Sequence, residues 1–163
     1  MKKKMAYAFM FLILAIILTA CSKVSKKSID PNAAFTIECI AAKDKGTGID
    51  VDTVVTYNFD DNQYLIGYTS TTKQKFNDKD TYREYKKAQE KTIKDNSEKM
   101  VSYKLKSNDK KMILEFSMII KMNVKDAKTD EEKDALRASI ILKNNKELKA
   151  SCKVYGIEES KIK

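Results

Sequence analysis

The chain has 163 residues, of which 42% are hydrophobic and 34% charged, and its formal net charge at pH 7 is +9. This length predicts one domain. Because the sequence contains no histidine, Ser–His and Cys–His nucleophile systems and His-based metal sites are excluded. It has no Walker loop and no Gly-rich dinucleotide turn, and only four glycines in all. We therefore expect neither an enzyme nor a bound cofactor.

The N-terminal segment has the features of an export signal. Three lysines, at positions 2–4, precede an uncharged apolar stretch at 6–18. A positive start of this kind stays on the cytoplasmic side of the membrane. The apolar stretch is shorter than the roughly 20 residues that a helix needs to cross the hydrocarbon.

Four residues at the end of this stretch, Leu18, Thr19, Ala20 and Cys21, resemble the lipobox of bacterial lipoproteins. The resemblance implies that the Cys21 sulfur receives a diacylglyceryl group and that the chain is cut between Ala20 and Cys21. Residues 1–20 would then be a signal peptide, and more than one acyl chain on Cys21 would anchor the protein stably. The alternatives are an ordinary secretory signal that happens to contain a cysteine, or an uncleaved anchor.

Residues 21–34 predict a lipidated tether between the anchor and a domain at 35–163. The segment is polar and basic and contains the only proline, Pro31. Lys23, Lys26 and Lys27 follow the lipobox directly and would add attraction to anionic headgroups.

The two remaining cysteines, Cys39 and Cys152, predict a disulfide if the domain is exported. Such a bond would close a loop of about 110 residues and contribute roughly 4–5 kcal/mol in the chain-entropy model. It would also make the first and last strands neighbours. The alternative is two separate buried thiols.

Hydrophobic periodicity predicts an α+β fold in the order β-β-β-α-β-β-α-β. The strands are expected at 35–42, 48–59, 64–76, 99–107, 110–124 and about 148–157, and the helices at 77–96 and about 130–143. Short turns at 60–63 and 107–110 make the sheet of about six strands antiparallel, with the two helices on one face. Asn77 or Asp78 is expected to cap the first helix, and Thr129 with Glu132 fits a capping box for the second.

Side-chain alternation predicts which residues enter the core. From 112 to 124, every second residue is Met, Leu, Phe, Ile or Val. The first helix presents a stripe made of Tyr82, Tyr85, Ala88, Gln89, Thr92 and Ile93. The second helix is expected to face inward through Leu136 and Ile140, with Ala135 and Ser139 beside them.

The domain also resembles the small YehR-like bacterial lipoproteins, a family of unknown function, over about 50–130. The resemblance is carried by the lipobox and by the segments VVTYNFDDNQYLIGYTSTTKQKF, YREYKKAQEK and MVSYKLKSNDKKMILEFSMIIKMNV. It implies a lipid-anchored domain with this order of elements, and it supplies no catalytic residues.

Few residues are candidates for chemistry. The pairs Asp50/Asp52 and Asp60/Asp61 are expected to be solvated acids rather than a glycosidase-like dyad, and DDNQ and NDKD lack the ligand spacing of a calcium loop. The methionines at 112, 118 and 122 fit a packed core better than a copper site. If a ligand groove exists, it is expected at the seam between the hairpin and the first helix, lined by Tyr57, Tyr68, Tyr82 and Tyr85.

We therefore expect a membrane-anchored, extracytoplasmic binding or envelope-interaction module. The alternatives are an accessory subunit of a transporter or other membrane complex and, less favoured, an envelope hydrolase. The expected partners are membrane lipid through acylated Cys21, and either anionic envelope polymers or a protein of a membrane complex, but not nucleic acid. The low Gly and Pro with abundant Lys, Ile and Asn resemble the composition of proteins from AT-rich Gram-positive bacteria, so we expect the outer face of the cytoplasmic membrane as the location.

Overall fold

This computed structural model describes residues 32–41, 49–95 and 100–163, and the strands in these ranges form one six-stranded antiparallel sheet. The strands are β1 (Phe35–Ile40), β2 (Ile49–Phe59), β3 (Leu65–Phe76), β4 (Val101–Asn108), β5 (Ile113–Lys121) and β6 (Ser151–Tyr155). Their order in the sheet is β4-β5-β3-β2-β1-β6. The α-helices are α1 (Lys79–Asp95), α2 (Asp130–Asp134) and α3 (Ala138–Glu147), and short 3-10 helices lie at Val124–Asp126 and Glu159–Lys161. The predicted α+β class and order of elements are confirmed.

The alternation of apolar residues explains why the sheet has an apolar inner face. The register places Ile37, Tyr57 and Tyr68 beside one another, so the alternate positions of neighbouring strands share a face. This inner face carries two groups of buried side chains. The α3 cluster joins the sheet to Ala138, Ile141 and Leu142 of α3 and to Leu136 just before it, and the α1 cluster consists of Phe76, Tyr82 and Leu114. Helices α1 and α3 therefore cover the same face.

Polar side chains set the ends of the helices and turns. The Asp78 carboxylate accepts the Thr81 N–H at 2.6 Å, and this bond holds the pKa of Asp78 below its ordinary value. Thr129 Oγ1 accepts the Glu132 N–H at 3.1 Å, while the Glu132 carboxylate reaches back to the N–H of Lys128. The caps predicted at Asp78 and Thr129 are confirmed.

The prediction of one continuous second helix was wrong, because the structure divides this segment into α2 and α3. The break lies beside the β2–β3 turn, where Leu65 N–H donates to Leu136 O and Ala138 N–H donates to Gln63 O. These bonds take backbone groups that a continuous helix would use itself. The break also changes the inward side, because Ile140 is 37% exposed while Ile141 and Leu142 are buried.

Two smaller corrections concern the ends of strand β5 and the buried stripe predicted for helix α1. β5 begins at Ile113, since Met112 lies in the preceding turn with φ of 51°. It ends at Lys121, and Val124 belongs to a 3-10 helix. In α1 only Tyr82 is buried, whereas Tyr85 and Ala88 of the predicted stripe are exposed. The helix therefore contacts the sheet through buried Tyr82 and through Tyr85, which is exposed but also packs on Phe76.

Candidate functional site

The disulfide links two directly opposed residues of neighbouring strands. Cys39 on β1 and Cys152 on β6 are bonded, and their Cα atoms are 4.1 Å apart. This separation is close to that of a non-hydrogen-bonded antiparallel pair, in which opposed side chains approach most closely. The predicted bond and the predicted adjacency of first and last strands are both present. Cys39 is 2% exposed, so the bond lies against the core.

Tyr57 and Tyr68 form a buried pair on the inner face. They are opposed on β2 and β3, with ring centroids 6.0 Å apart. The Asn145 amide of α3 donates to the Tyr57 hydroxyl at 3.3 Å and to the Ile141 carbonyl at 2.9 Å. The helix is thus attached to the sheet by an amide that bridges a tyrosine and the helix's own backbone.

The two hydroxyls of this pair have different surroundings. Burial raises the pKa of Tyr57, and the hydrogen bond with Asn145 opposes that shift. Burial, with Tyr57 and Tyr103 adding to it, raises the pKa of Tyr68 to about 12. The Tyr68 hydroxyl is buried and has no hydrogen-bond partner in the described part of the chain. Both phenols are neutral at physiological pH and can act as hydrogen-bond donors.

Tyr82 and Tyr85 belong to the other end of the inner face. Tyr82 packs edge-on against Phe76 at 5.7 Å between centroids, and its hydroxyl donates to Asp109 in the β4–β5 turn. Lys86 Nζ lies 2.8 Å from the same Asp109 oxygen. The hydrogen bond from Lys86 is the main cause that lowers the pKa of Asp109, and the bond from Tyr82 adds to it. Tyr85 is 41% exposed and packs on Phe76 at 5.2 Å.

The structure therefore divides the four predicted groove residues into two pairs. Tyr57 and Tyr68 lie in the α3 cluster, whereas Tyr82 lies in the α1 cluster with Tyr85 at its rim. Among the four, only Tyr85 is exposed. The sequence did not predict that Asn145 contacts these tyrosines. Asn145 follows Tyr57 by 88 residues, and no local pattern links the two.

The aspartates considered as candidates for catalysis lie on the surface of the sheet or in a turn, where their contacts fit a role in the fold. Asp50 and Asp52 lie on the outer face, opposed to Lys75 and Lys73 of β3. Asp60 Oδ1 accepts the N–H groups of Asn62 at 3.0 Å and Tyr64 at 2.9 Å, which closes the β2–β3 turn. Within the described ranges, no group of three or more Cys, Asp and Glu side chains is placed to hold a metal ion.

The lipobox residues Leu18, Thr19, Ala20 and Cys21 lie outside the described residues, as does most of the tether. None of the helices described between 32 and 163 is long and apolar enough to cross a bilayer. Comparisons of the chain with protein-family models, curated proteins and solved structures gave no match. The resemblances to lipoproteins and to the YehR-like family thus rest on the sequence alone.

Proposed function

We propose that the chain is a lipid-anchored extracytoplasmic lipoprotein whose domain is a non-enzymatic binding module at the outer face of the cytoplasmic membrane. In this proposal acylated Cys21 holds the protein to the lipid and residues 22–34 connect it to the domain. The sheet and its helices then present their surfaces to a partner in the envelope. The proposal includes no catalytic residue, cofactor or metal.

The observation that carries the proposal is the bond between Cys39 and Cys152, in a chain whose residues 18–21 resemble a lipobox. Disulfides persist in exported proteins and are rare in the cytosol, where thiols are kept reduced. An export signal and an opposed cysteine pair are independent features, one read in the leader and one in the fold. Both are accounted for by the same compartment.

The distribution of charge also supports a membrane location. Of the 32 Lys and Arg residues, 23 lie in the described residues, together with 20 of the 23 acids. Residues 35–163 carry a formal charge of +4, and three of the lysines that precede them, Lys23, Lys26 and Lys27, lie within six residues of Cys21. Basic residues beside a lipid anchor are attracted to anionic headgroups by about 1 kcal/mol each.

The test is intact-mass measurement of the protein from the membrane fraction of native cells, with and without reduction. We expect a mature chain that begins at a lipid-modified Cys21 and gains the mass of two hydrogen atoms on reduction. In cells fed labelled palmitate, Cys21→Ala should lose the label, whereas Cys39→Ala/Cys152→Ala should keep it. Label remaining on Cys21→Ala, or a cytosolic chain with its leader attached and free thiols, would refute the proposal.

A further inference from the structure

The outer face of the sheet is opposite the face that carries the helices. Helices α1 and α3 pack on the inner face, and no helix in the described ranges buries a side chain against the outer face. The register shows which side chains the outer face presents, because they alternate along each strand with those of the inner face. An antiparallel sheet covered on one side leaves its other face to solvent or to a partner.

The centre of the outer face is uncharged and carries short or β-branched side chains. On β5, β3, β2 and β1 these residues form one patch, called here the outer patch: Thr36, Ile40, Val54, Thr56, Asn58, Thr69, Thr71, Ser117 and Ile119. Thr36, Val54 and Asn58 are buried and the other six are half-buried. The Thr71 and Ser117 hydroxyls already bond to each other at 3.0 Å. Covering this patch therefore separates few polar groups from water, which favours packing against a second sheet.

Two aspartates and two lysines lie at one end of the outer patch, on the two middle strands of the sheet. The register opposes Asp52 to Lys73 and Asp50 to Lys75, so both acids are on β2 and both lysines on β3. None of the four forms an ion pair with a residue that the structure describes. The two middle strands thus carry complementary charges side by side, and these charges face outward.

A two-fold axis that runs along the strands, between β2 and β3, would pair these charges between two copies of the chain. When two identical sheets pack face to face about this axis, β2 of one copy lies over β3 of the other. Asp52 then faces Lys73 of the second copy, Asp50 faces Lys75, and each pair occurs twice. An axis across the strands would instead place the lysines over the uncharged half of β3. The charges therefore select the axis along the strands.

The same axis directs the N-terminal ends of both domains toward one membrane. β1 begins at Phe35, which is opposed to Phe59 at the end of β2, so the chain enters the sheet at the end where the β2–β3 turn lies. Rotation about an axis parallel to the strands leaves this end of both copies pointing in the same direction. Two chains anchored through Cys21 in one bilayer can form this pair, and confinement to the membrane raises their effective concentration.

We propose that two copies of the chain pack through their outer patches as a symmetric dimer, with the two-fold axis between β2 and β3. The patch and its charged end span four strands, about 20 Å, and residues 50–58 of β2, about 30 Å, which gives a projected area of roughly 600 Å². Side-chain relief adds to this area, and standard interfaces bury about 800 Å² per partner. The twist of the sheets turns one by about 30° relative to the other, which displaces positions near the axis least. The inference goes beyond the proposed function, on which only the common direction of the two N-termini depends.

An anionic membrane or polymer is a poorer occupant of this face. It would attract Lys73 and Lys75 but repel Asp50 and Asp52, which lie one strand away. A second copy satisfies charges of both signs with the same residues, because a two-fold interface uses the same surface of each partner.

The experiment uses the full-length protein solubilised in detergent and measures the dimer dissociation constant by sedimentation in a density-matched buffer. The wild type should show a monomer–dimer equilibrium. Asp52→Lys and Lys73→Asp should each weaken dimerisation by about tenfold or more, because two attractive pairs across the axis become repulsive. An equimolar mixture of the two variants should form a heterodimer with a dissociation constant within about threefold of the wild type, since each variant then meets the opposite charge.

The matched control variants change the net charge equally at positions away from the outer patch. They are Asp61→Lys in the β2–β3 turn and Lys110→Asp in the β4–β5 turn. Each should leave the dissociation constant within about twofold of the wild type, because an exposed charge in a distant turn is screened by salt. Circular dichroism reports whether each variant is folded, and recovery of dimerisation in the mixture requires that both Asp52→Lys and Lys73→Asp are folded.

Three results would overturn the inference. The first is a wild type that stays monomeric both in detergent and, by chemical cross-linking, in native membranes. The second is a dimer whose dissociation constant is unchanged in Asp52→Lys and Lys73→Asp, which would place the interface on another face. The third is a mixture of these two folded variants that stays monomeric. None of these outcomes affects the palmitate and mass measurements on Cys21, so failure here and failure of the anchoring proposal can be told apart.

Discussion

Tyr57 and Tyr68 face each other across β2 and β3 and differ in one hydrogen bond. Tyr57 is bonded to Asn145, whereas the Tyr68 hydroxyl has no partner in the described residues although its side chain is only 4% exposed. A buried polar group without a partner costs about 1–3 kcal/mol. We expect Tyr68→Phe to raise the free energy of unfolding by about 1 kcal/mol, as measured by urea denaturation.

Tyr57→Phe is the matched control, because it makes the same chemical change at a hydroxyl that has a partner. It leaves the Asn145 amide short of one acceptor and should lower the free energy of unfolding by about 1 kcal/mol. Equal losses of stability in the two variants would contradict the expectation and would indicate a bound water or other partner at Tyr68.

The raised pKa of Tyr68 predicts how the free energy of unfolding changes at alkaline pH. The pKa of Tyr68 is about 12 in the folded protein, against 10.0 for an ordinary tyrosine. Between these values the unfolded chain has lost the proton and the folded chain has kept it, so stability falls as pH rises from 10 to 12. Denaturation at a series of pH values should show a steeper loss in the wild type than in Tyr68→Phe. Identical slopes in this window would show that Tyr68 titrates normally.

At the scale of residues, the sequence predicted local contacts and missed distant ones. Asp78 and Thr129 were recognisable as caps because the bonded N–H lies three residues along the chain. The bond from Tyr82 to Asp109 and that between Tyr57 and Asn145 depend on how the strands return, which no short pattern encodes. The four tyrosines of the predicted groove lie in two places for the same reason. They share one face of the sheet, but the sequence pattern did not show that this face carries two separate clusters.

At the scale of elements, alternation was a sufficient guide for strands but not for the second helix. The period of two predicted β2 and its inner face, which carries Val55 and Tyr57, but it did not predict that Val54 and Asn58 on the other face are buried as well. The stretch 130–143 had a good cap and helical periodicity, yet Leu136 O and Ala138 N–H bond to the backbone of Leu65 and Gln63. A tertiary contact thus outweighed local propensity.

The contact between β3 and β5 supplies a prediction at this scale. A Cβ atom at Gly67 would lie 2.6 Å from the backbone oxygen of Ile120, which cannot move without displacing β5. Gly67→Ala should therefore lower the free energy of unfolding by about 2–3 kcal/mol. The measurement is urea denaturation, with Thr69→Ala as a control on the same strand and face. Equal, small losses in both variants would show that the two strands can separate to admit a methyl group.

At the scale of the whole molecule, the cysteines gave the only long-range constraint in the sequence. Their predicted bond required β1 and β6 to be neighbours, and the register confirms that Cys39 opposes Cys152. The rest of the strand order, with β4 at one end and β3 beside β5, could not be derived from periodicity. Periodicity determines which face of a strand is buried but not which strands are adjacent.

The disulfide should also account for a large share of the molecule's stability. It joins residues separated by 113 positions and ties β6, a strand of five residues, to the rest of the sheet. In the chain-entropy model, closing a loop of this size stabilises the fold by about 4–5 kcal/mol. We expect Cys39→Ala/Cys152→Ala to lose about that much free energy of unfolding in urea. β6 should open first, because it is a short strand at one end of the sheet and pairs with β1 alone.

Reduction provides the control for that variant, since it breaks the bond without removing a side chain. Wild-type protein in reductant should lose nearly as much stability as the double variant, whereas the double variant itself should not respond to reductant. If the double variant is destabilised and reduction leaves the wild type unchanged, the loss comes from packing around Cys39 rather than from the cross-link. The order of opening is measured separately by amide exchange, which should show β6 losing protection before β2 and β3 in the reduced protein.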